Sequence, residues 1–298
     1  MEIRHIRYFV AVAEHLNVRM AADRLHVTQP AVSRQIHDVE DELGVRLFDR
    51  TTRGLRLTEP GSAFLNDCRR ILAMVEQAKR SARLTGQGLR GQLRIGMVES
   101  AGWDGLFPRA IGEFQREAPG VSLQIEPLAT PRQLEALEAR ELDAGVMYAL
   151  QPLSDAYDMV SLARHDVILA VPADAPPPKT ATIRAADLNG QPFVLFQRSV
   201  YPVYYDRLLA ACQRAGLTPN VVQEVGSEGA ELTLVSAGIG IAIVNSANCG
   251  RPPARVRFVQ LADVSVPLSL SFVRSRANTN PALERLTDVL RRLSLSAS

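Results

Sequence analysis

Three arginines lie three residues apart in a short polar segment. Arg50, Arg53 and Arg56 form this series. They surround Gly54, and residues 55–58 alternate between apolar and polar side chains as a short strand does. A hairpin around Gly54 would place the guanidinium groups at a loop tip, where they can contact phosphates or enter a narrow minor groove of DNA. The segment is therefore a candidate DNA-contacting wing.

Two hydroxyl side chains each follow a predicted strand and precede a predicted helix. Ser100 comes after the strand at 93–98, and Thr130 comes after the strand at 121–126. Sheets of α/β proteins bind ligands at the carboxyl ends of their strands, and the free N–H groups of a helix N-terminus favour an anion such as a carboxylate. The two residues predict an anion site, with a purely helix-capping role for each as the alternative.

A polar and aromatic segment follows the predicted strand at 193–196. Its residues are Gln197, Arg198, Ser199, Pro202, Tyr204 and Tyr205. We expect this loop to lie at the mouth of a second lobe and to close over a ligand from the side opposite Ser100 and Thr130.

The N-terminal residues predict three short helices. Apolar side chains recur at helical spacing over 4–15, and a second short helix follows with small residues suited to close packing. A third helix is expected from Thr28, which can cap it, to Gly44. Its apolar stripe and its opposite, polar face are Val32, Ile36, Val39 and Leu43 against Pro30, Arg34, His37 and Asp41. This is the pattern of a helix-turn-helix, although a small helical bundle could show it too.

A longer helix is predicted from Pro60 to Leu84, with Thr58 as its cap. Apolar residues recur along it with heptad spacing, which favours pairing with an identical helix in a twofold dimer. The members of this heptad seam are Phe64, Cys68, Ile71, Val75, Ala78 and Ala82. An amphipathic helix packed on its own chain is the alternative.

From Gly91 onward the sequence alternates between predicted strands and helices, which favours an α/β fold with a largely parallel sheet. About 205 residues are many for one sheet, so two lobes around a cleft are expected. The predicted domains are therefore a winged helix-turn-helix at 1–59, a linker and dimerisation helix at 60–90, and a two-lobed domain at 91–298.

Composition and charge restrict the class of protein. The 298 residues are 46% hydrophobic and 22% charged, which is typical of globular domains. Residues 1–92 carry 15 Lys or Arg and 11 Asp or Glu, so the basic excess is N-terminal. No apolar run reaches the roughly 18–20 residues of a membrane span, and the start does not read as a signal peptide, so we expect a cytoplasmic protein.

Four segments agree in order and spacing with a known family. They are residues 9–14, 21–36, 43–50 and 57–61, which read FVAVAE, AADRLHVTQPAVSRQI, LGVRLFDR and LTEPG. Together they resemble the LysR-type transcriptional regulators. Departures are small: Val39 replaces the usual Leu, Pro60 replaces Ala, and residues 17–19 replace a common Ser- or Thr-containing stretch.

The resemblance implies a winged helix-turn-helix, a linker helix that dimerises, and a periplasmic-binding-protein-like effector domain whose chain crosses between its lobes twice. It also implies a dimer of dimers that binds promoter DNA and, if it is an activator, contacts RNA polymerase. The residues that it places at the DNA are Gln29, Pro30, Ser33, Arg34, Arg50 and Arg53. Chemistry agrees in part, because Gln pairs well with adenine and Arg with guanine. For Gln29 and Ser33, capping or solvation is the alternative.

Segments of the second domain resemble the branch of the family that controls degradation of aromatic compounds. They are residues 96–100, 128–130, 142–145 and 236–240. In that branch, the positions of Ser100 and Thr130 bind the carboxylate of the effector. Tyr148 stands where some relatives have an arginine for a second acid. The resemblance therefore implies an aromatic or unsaturated organic acid as the effector.

Other functions have weaker support. The sequence has no nucleophile elbow, P-loop or metal-ligand cluster, so we expect neither an enzyme nor a cofactor or metal. Gly238-Ile239-Gly240 predicts a tight turn rather than a dinucleotide site. The more specific alternative to an effector-binding regulator is a redox-sensing regulator on the same fold, with a switch disulfide between Cys212 and Cys249. Nothing near either thiol obviously lowers its pKa.

Overall fold

The computed structural model describes residues 1–51, 54–102, 105–176 and 182–296. The chain forms two compact units, residues 1–84 and 85–298. Residue 90, near which the sequence predicts the domain boundary, is the first residue of a strand. Among the described residues, no helix is long and apolar enough to cross a membrane.

The first unit contains the predicted helices and hairpin. Its elements are α1 (Ile3–His15), α2 (Val18–Leu25), α3 (Gln29–Leu43), β1 (Phe48–Thr51), β2 (Gly54–Leu57) and α4 (Glu59–Gly86). Left-handed residues end the first helices: Leu16 follows α1, His26 follows α2, and Gly44 follows α3. Asn17 caps α2, because its side chain accepts hydrogen bonds from the backbone N–H groups of the first turn.

The predicted side-chain cap of α3 is wrong. Thr28 is the N-cap residue, but its hydroxyl makes no capping hydrogen bond. Pro30 has no N–H to offer, and the Ala31 N–H donates to the backbone carbonyl of Thr28 at 3.1 Å instead. The predicted cap of α4 is confirmed, since Thr58 Oγ1 accepts from the Gly61 N–H at 2.9 Å.

The heptad seam divides into two parts. Phe64 packs against the core of the first unit, with its ring centroid 4.8 Å from that of Phe9, and Cys68 is fully buried there. Farther along α4, Ile71 is 40% exposed, and Ala78 and Ala82 are also exposed. The first two members of the seam therefore stabilise their own chain, and only the later part is available to a partner helix.

The second unit is the predicted α/β part. Its elements are β3 (Arg90–Met97), α5 (Leu106–Glu117), β4 (Gly120–Pro127), α6 (Thr130–Glu138), β5 (Ala144–Tyr148), β6 (Tyr157–His165), β7 (Val167–Pro172), β8 (Thr182–Ile183), β9 (Pro192–Phe196), α7 (Pro202–Arg214), β10 (Asn220–Val225), α8 (Glu228–Ser236), β11 (Ala242–Asn245), β12 (Val256–Leu261), β13 (Leu268–Ser275) and α9 (Pro281–Ser296). Short 3-10 helices occur at Glu99–Gly102, Ala185–Leu188 and Ser246–Gly250.

These strands form two lobes with mixed sheets. The first lobe has the strand order β4-β3-β5-β13-β6, and the second has β11-β7-β12-β8 with the parallel pair β9 and β10 beside it. The prediction of a largely parallel arrangement is wrong. β3 is parallel to β4 and β5, but β13 is antiparallel to β5 and β6, and β7 is antiparallel to β11 and β12. The antiparallel pairs of the first lobe both involve β13, which returns from the second lobe into the first sheet, and those of the second lobe both involve β7.

The chain crosses between the lobes twice, as the family resemblance implies. The first crossing joins β6 to β7 at Asp166, and the second enters β13. Asp166 ties the crossings together: one carboxylate oxygen accepts from the N–H groups of Val167 at 2.7 Å and Val266 at 2.6 Å. The other oxygen accepts from the Ser265 hydroxyl at 2.6 Å.

Candidate DNA interface and effector cavity

The helix α3 has one buried and one exposed face. Val32 and Val39 are fully buried against the other helices, whereas Gln29, Ser33 and Arg34 are exposed. No hydrogen bond or ion pair to another described residue involves these three polar side chains. Pro30 is also exposed, in the first turn of the helix. The face therefore offers a hydroxyl, an amide and a guanidinium group for base edges or phosphates.

The wing is a two-stranded hairpin held firmly to the helices. Glu40, on α3, accepts with Oε1 from the N–H groups of Leu47 at 2.6 Å and Phe48 at 3.0 Å. Arg50 is exposed on β1, where it pairs with Leu55 of β2.

Two further arginines were predicted for this hairpin. Arg56 lies within 3.5 Å of the Asp49 carboxylate, as an exposed ion pair. Arg53, predicted to reach the minor groove, lies outside the described residues.

A cavity of about 240 Å³ lies between the two lobes of the second unit. The first lobe contributes one wall and the second lobe contributes the other. The wall from the first lobe consists of Val98, Glu99, Ser100, Pro127, Leu128, Ala129, Thr130, Tyr148 and Leu268. The wall from the second lobe consists of Phe196, Val200, Tyr201, Tyr204, Gly226, Ser227, Glu228 and Asn245.

Ser100 and Thr130 meet at this cavity. β3 and β4 are parallel neighbours, so their carboxyl ends lie at the same edge of the sheet and bring the two following residues together. Ser100 lies in the 3-10 helix Glu99–Gly102, and Thr130 is the first residue of α6. They are 7% and 3% exposed. First-turn N–H groups of a helix have no partner within it and are therefore available to a ligand.

Tyr148, in the wall from the first lobe, contacts both Ser100 and His165. Its hydroxyl lies 3.3 Å from Ser100 Oγ and 3.0 Å from His165 Nδ1. Burial raises the pKa of Tyr148 to about 12, so the phenol stays protonated at neutral pH. Burial also lowers the pKa of His165, which favours a neutral imidazole. Neither Tyr148 nor the neighbouring His165 therefore adds a positive charge to this wall of the cavity.

The wall from the second lobe holds an anchored carboxylate. Glu228 Oε1 accepts from the Asn245 N–H at 3.0 Å, and Oε2 accepts from Asn248 Nδ2 at 3.2 Å. Burial, the largest cause, and the nearby Glu99 raise the pKa of Glu228 above its usual value, and the two hydrogen bonds offset this rise only in part. Among the described residues, the Tyr204 hydroxyl in the same wall is buried without a hydrogen-bond partner. Glu228 was not predicted as a site residue, and the only sequence signal for it is its place after Gly226-Ser227 at the start of a helix.

Gln197, Ser199 and Pro202 do not line the cavity, contrary to the sequence prediction. The Gln197 N–H donates to the Val225 carbonyl at 2.8 Å, and the Gln197 carbonyl accepts from the Val200 N–H at 3.1 Å. This turn leaves Ser199 exposed and makes Pro202 the first residue of α7. The turn therefore places Val200 and Tyr201 at the cavity instead of Gln197, Ser199 and Pro202.

The cysteines do not form a disulfide. Cys68, Cys212 and Cys249 are all free thiols. Burial raises the pKa of Cys212 to about 11 and also raises the pKa of Cys249. Both thiols are therefore largely protonated near neutral pH, the opposite of what a reactive thiolate requires.

Comparison with known proteins gives the family. Residues 3–62 match the family model of bacterial regulatory helix-turn-helix proteins of the lysR family. Residues 86–294 match the family model of the LysR substrate binding domain. The chain is 36% identical over 247 residues to the transcriptional regulator AlsR of Bacillus subtilis, covering 83% of this chain and 81% of AlsR. It is 35% identical over 294 residues to TfdS of Cupriavidus pinatubonensis, covering 98% of both chains.

Solved structures agree with these sequence matches. The crystal structure of CbnR, a LysR family transcriptional regulator, superposes with a TM-score of 0.80 at 29% identity and covers 98% of this chain and 100% of CbnR. Full-length CbnR complexed with its target DNA gives a TM-score of 0.82 at 29% identity, and the match covers 99% of this chain and 100% of CbnR. This chain belongs to the LysR family of transcriptional regulators.

Proposed function

We propose that this LysR-family regulator is switched by a small carboxylic acid that binds in the cavity between the lobes. The observation that carries the proposal is the convergence of Ser100 and Thr130, two buried hydroxyls beside helix N-termini, on one wall of that cavity. Hydroxyls and free amides are suitable donors for a carboxylate, and charge-assisted hydrogen bonds are stronger than neutral ones.

The shape of the cavity supports an aromatic or unsaturated acid. Its volume of about 240 Å³ lies just below the roughly 300–1,000 Å³ of pockets for drug-sized ligands, so it suits an acid with one ring. Phe196, Tyr201 and Tyr204 supply aromatic surface on the wall from the second lobe. The resemblance to the branch that controls degradation of aromatic compounds supports the same class of effector.

For DNA recognition, we propose that α3 lies in the major groove, with Gln29, Ser33 and Arg34 facing base edges or phosphates and Pro30 beside them. Their exposure on the face opposite the core supports this arrangement. Arg50 and Arg53 of the wing would contact the backbone or the minor groove.

For assembly, we propose a dimer through the later part of α4, and a dimer of dimers. The exposure of Ile71 and of the alanines beyond it supports the first step. Two expectations remain: a cytoplasmic protein, from the patterns of the sequence, and contact with RNA polymerase if it is an activator, from the family resemblance.

A thermal-shift screen of the full chain tests the proposal. Aromatic and dicarboxylic acids are added one at a time, and a bound acid at 100 times its Kd should stabilise the protein by about 2.7 kcal/mol. The same acid should stabilise Thr130→Val much less, since the variant keeps the side-chain volume but loses the hydroxyl. If every acid that stabilises the wild type stabilises Thr130→Val equally, the acid binds elsewhere and the proposed site is wrong.

A further inference from the structure

We infer that the effector carries a hydroxyl or amino group in addition to its carboxylate, and that Glu228 and Tyr204 bind this second group. The inference rests on the proposed function, in which the carboxylate binds at Ser100 and Thr130. It adds that the wall from the second lobe selects monocarboxylic acids with a hydrogen-bond donor and rejects dicarboxylic acids.

The charge of the cavity wall is the first argument. Within the described residues, no Lys or Arg side chain lines the cavity, whereas Glu99 and Glu228 both do. A ligand with two carboxylates would bring its second negative charge toward Glu228 without a cation to compensate it. Like charges at close range in a partly desolvated site repel strongly. A neutral or positively charged substituent meets no such penalty.

Glu228 has acceptor capacity left for a ligand. A carboxylate has about four lone-pair positions. The described residues fill two of them, one from the Asn245 N–H and one from the Asn248 side-chain amide. Asn248 is fully buried and Asn245 is 2% exposed, so the carboxylate is fixed in position. It is therefore a preorganised acceptor on the cavity wall.

Tyr204 supplies an independent observation. It lines the cavity and is 8% exposed, and its hydroxyl has no hydrogen-bond partner among the described residues. Buried hydroxyls in native proteins are nearly always paired. Burial, together with the nearby Glu228 and Glu231, raises the pKa of Tyr204 well above its usual value, so its hydroxyl stays protonated and can donate. A ligand hydroxyl could donate to Glu228 and accept from Tyr204, which would satisfy both groups.

Isothermal titration calorimetry on the full chain tests the inference with matched ligands. The panel is benzoate, the three hydroxybenzoates, the three methylbenzoates and the three benzenedicarboxylates, so that only the second substituent and its position change. We expect at least one hydroxybenzoate to bind ten times tighter than the methylbenzoate and the dicarboxylate of the same substitution pattern. Benzoate itself reports whether the carboxylate site alone is functional.

Tyr204→Phe is the deciding variant, because it removes only a hydroxyl that has no hydrogen-bond partner among the described residues. We expect it to keep benzoate affinity within twofold and to reduce the tenfold hydroxyl preference to less than threefold. Tyr205→Phe is the matched control, since that residue is next in the helix but does not line the cavity, and it should keep the preference. Glu228→Gln should reduce the difference in affinity between a hydroxybenzoate and the dicarboxylate of the same substitution pattern.

The possible failures are distinguishable. If the acids bind in a way that depends on Thr130 but a dicarboxylate binds as tightly as its hydroxy analogue, the inference is overturned and the proposed function stands. A hydroxyl preference that persists unchanged in Tyr204→Phe overturns it as well. If no acid in the panel binds, the inference is overturned, and the thermal-shift screen of the wider set of acids decides whether the carboxylate effector stands.

Discussion

The hydroxyl of Tyr201, in the second lobe, donates a hydrogen bond of 2.7 Å to the backbone carbonyl of Tyr148, in the first lobe. The same hydroxyl accepts from the Leu150 N–H at 3.3 Å. Both tyrosines line the cavity, so the lobes are joined directly at the place where the effector is proposed to bind. A ligand in the cavity therefore contacts residues that also set the relative position of the lobes.

Tyr201→Phe should weaken this link. It leaves the Tyr148 carbonyl and the Leu150 N–H without their partner, so we expect the free energy of unfolding to fall by about 1–3 kcal/mol. Urea unfolding of the full chain measures the change. Tyr205→Phe, which removes a hydroxyl from the same helix outside the cavity wall, should have a smaller effect. Equal stability of wild type and Tyr201→Phe would show that the contact between the lobes contributes nothing.

Arg34→Ala should remove sequence discrimination on DNA. Losing a good bidentate base contact costs about 1–3 kcal/mol, so affinity for the operator should fall about fivefold to a hundredfold while affinity for random DNA changes little. Fluorescence anisotropy at one fixed salt concentration measures both. Arg214→Ala is the control, because Arg214 is also an exposed arginine but lies at the end of α7 in the second unit. Unchanged operator affinity in Arg34→Ala would exclude the residue as a base contact.

Ile71→Glu should prevent dimerisation of a fragment of residues 1–88. This fragment contains the complete core of the first unit, and Ile71 lies in the exposed part of the heptad seam. An interface that buries an unpaired charge is strongly destabilised, so the variant should sediment as a monomer where the wild-type fragment is a dimer. Gln77→Glu adds the same charge at an exposed polar position of α4 outside the seam.

The Gln77→Glu control fragment should remain dimeric at tens of micromolar. A monomeric wild-type fragment would mean that α4 does not pair through this seam, and the proposed first step of assembly would then fail.

Glu231→Gln should flatten the dependence of stability on pH. Glu231 is 2% exposed, and burial together with the nearby Glu228 raises its pKa well above the usual range. Because the folded-state pKa is raised, the stabilisation is complete below the ordinary Glu pKa of about 4.3 and is lost as the pH rises through the raised value. Gln cannot ionise, so this loss should be absent from the variant.

Urea unfolding of both proteins between about pH 5 and pH 8 measures this difference, because the slope of unfolding free energy against pH reports the difference in bound protons. Glu224→Gln, at an exposed position on β10, should keep the wild-type slope. Parallel curves for wild type and Glu231→Gln would show that the buried carboxyl does not carry the raised pKa.

The exposed polar face of α3 and one wall of the cavity were predictable from local patterns. The apolar stripe of α3 determines which face is buried, and Arg34 lies opposite it. Ser100 and Thr130 each follow a strand of a parallel pair, so strand direction alone brings them to the same edge. Periodicity within one helix determines where Arg34 lies, whereas the parallel direction of two neighbouring strands determines where Ser100 and Thr130 lie.

The other wall was not predictable in the same way. Tyr204 belongs to the segment that was expected to close over a ligand, whereas Glu228 reaches the cavity through the packing of α8, which periodicity does not determine. The turn after Gln197 directs Val200 and Tyr201 inward, and that turn depends on a hydrogen bond to Val225 in β10. Sequence patterns did not predict β10 itself, because nearly all of its residues are exposed and show no alternation.

We expect an acid bound at Ser100 and Thr130 to alter DNA binding by the full chain. Operator affinity with and without a stabilising acid, measured for the wild type and for Ser100→Ala/Thr130→Val, tests it most directly. We expect at least an approximately fivefold change in the wild type, at the lower end of typical coupling between two sites. We expect no change in the double variant, with the effector-free affinity preserved and Ser199→Ala responding like the wild type. A double variant that still responds to the acid as strongly as the wild type would contradict the account.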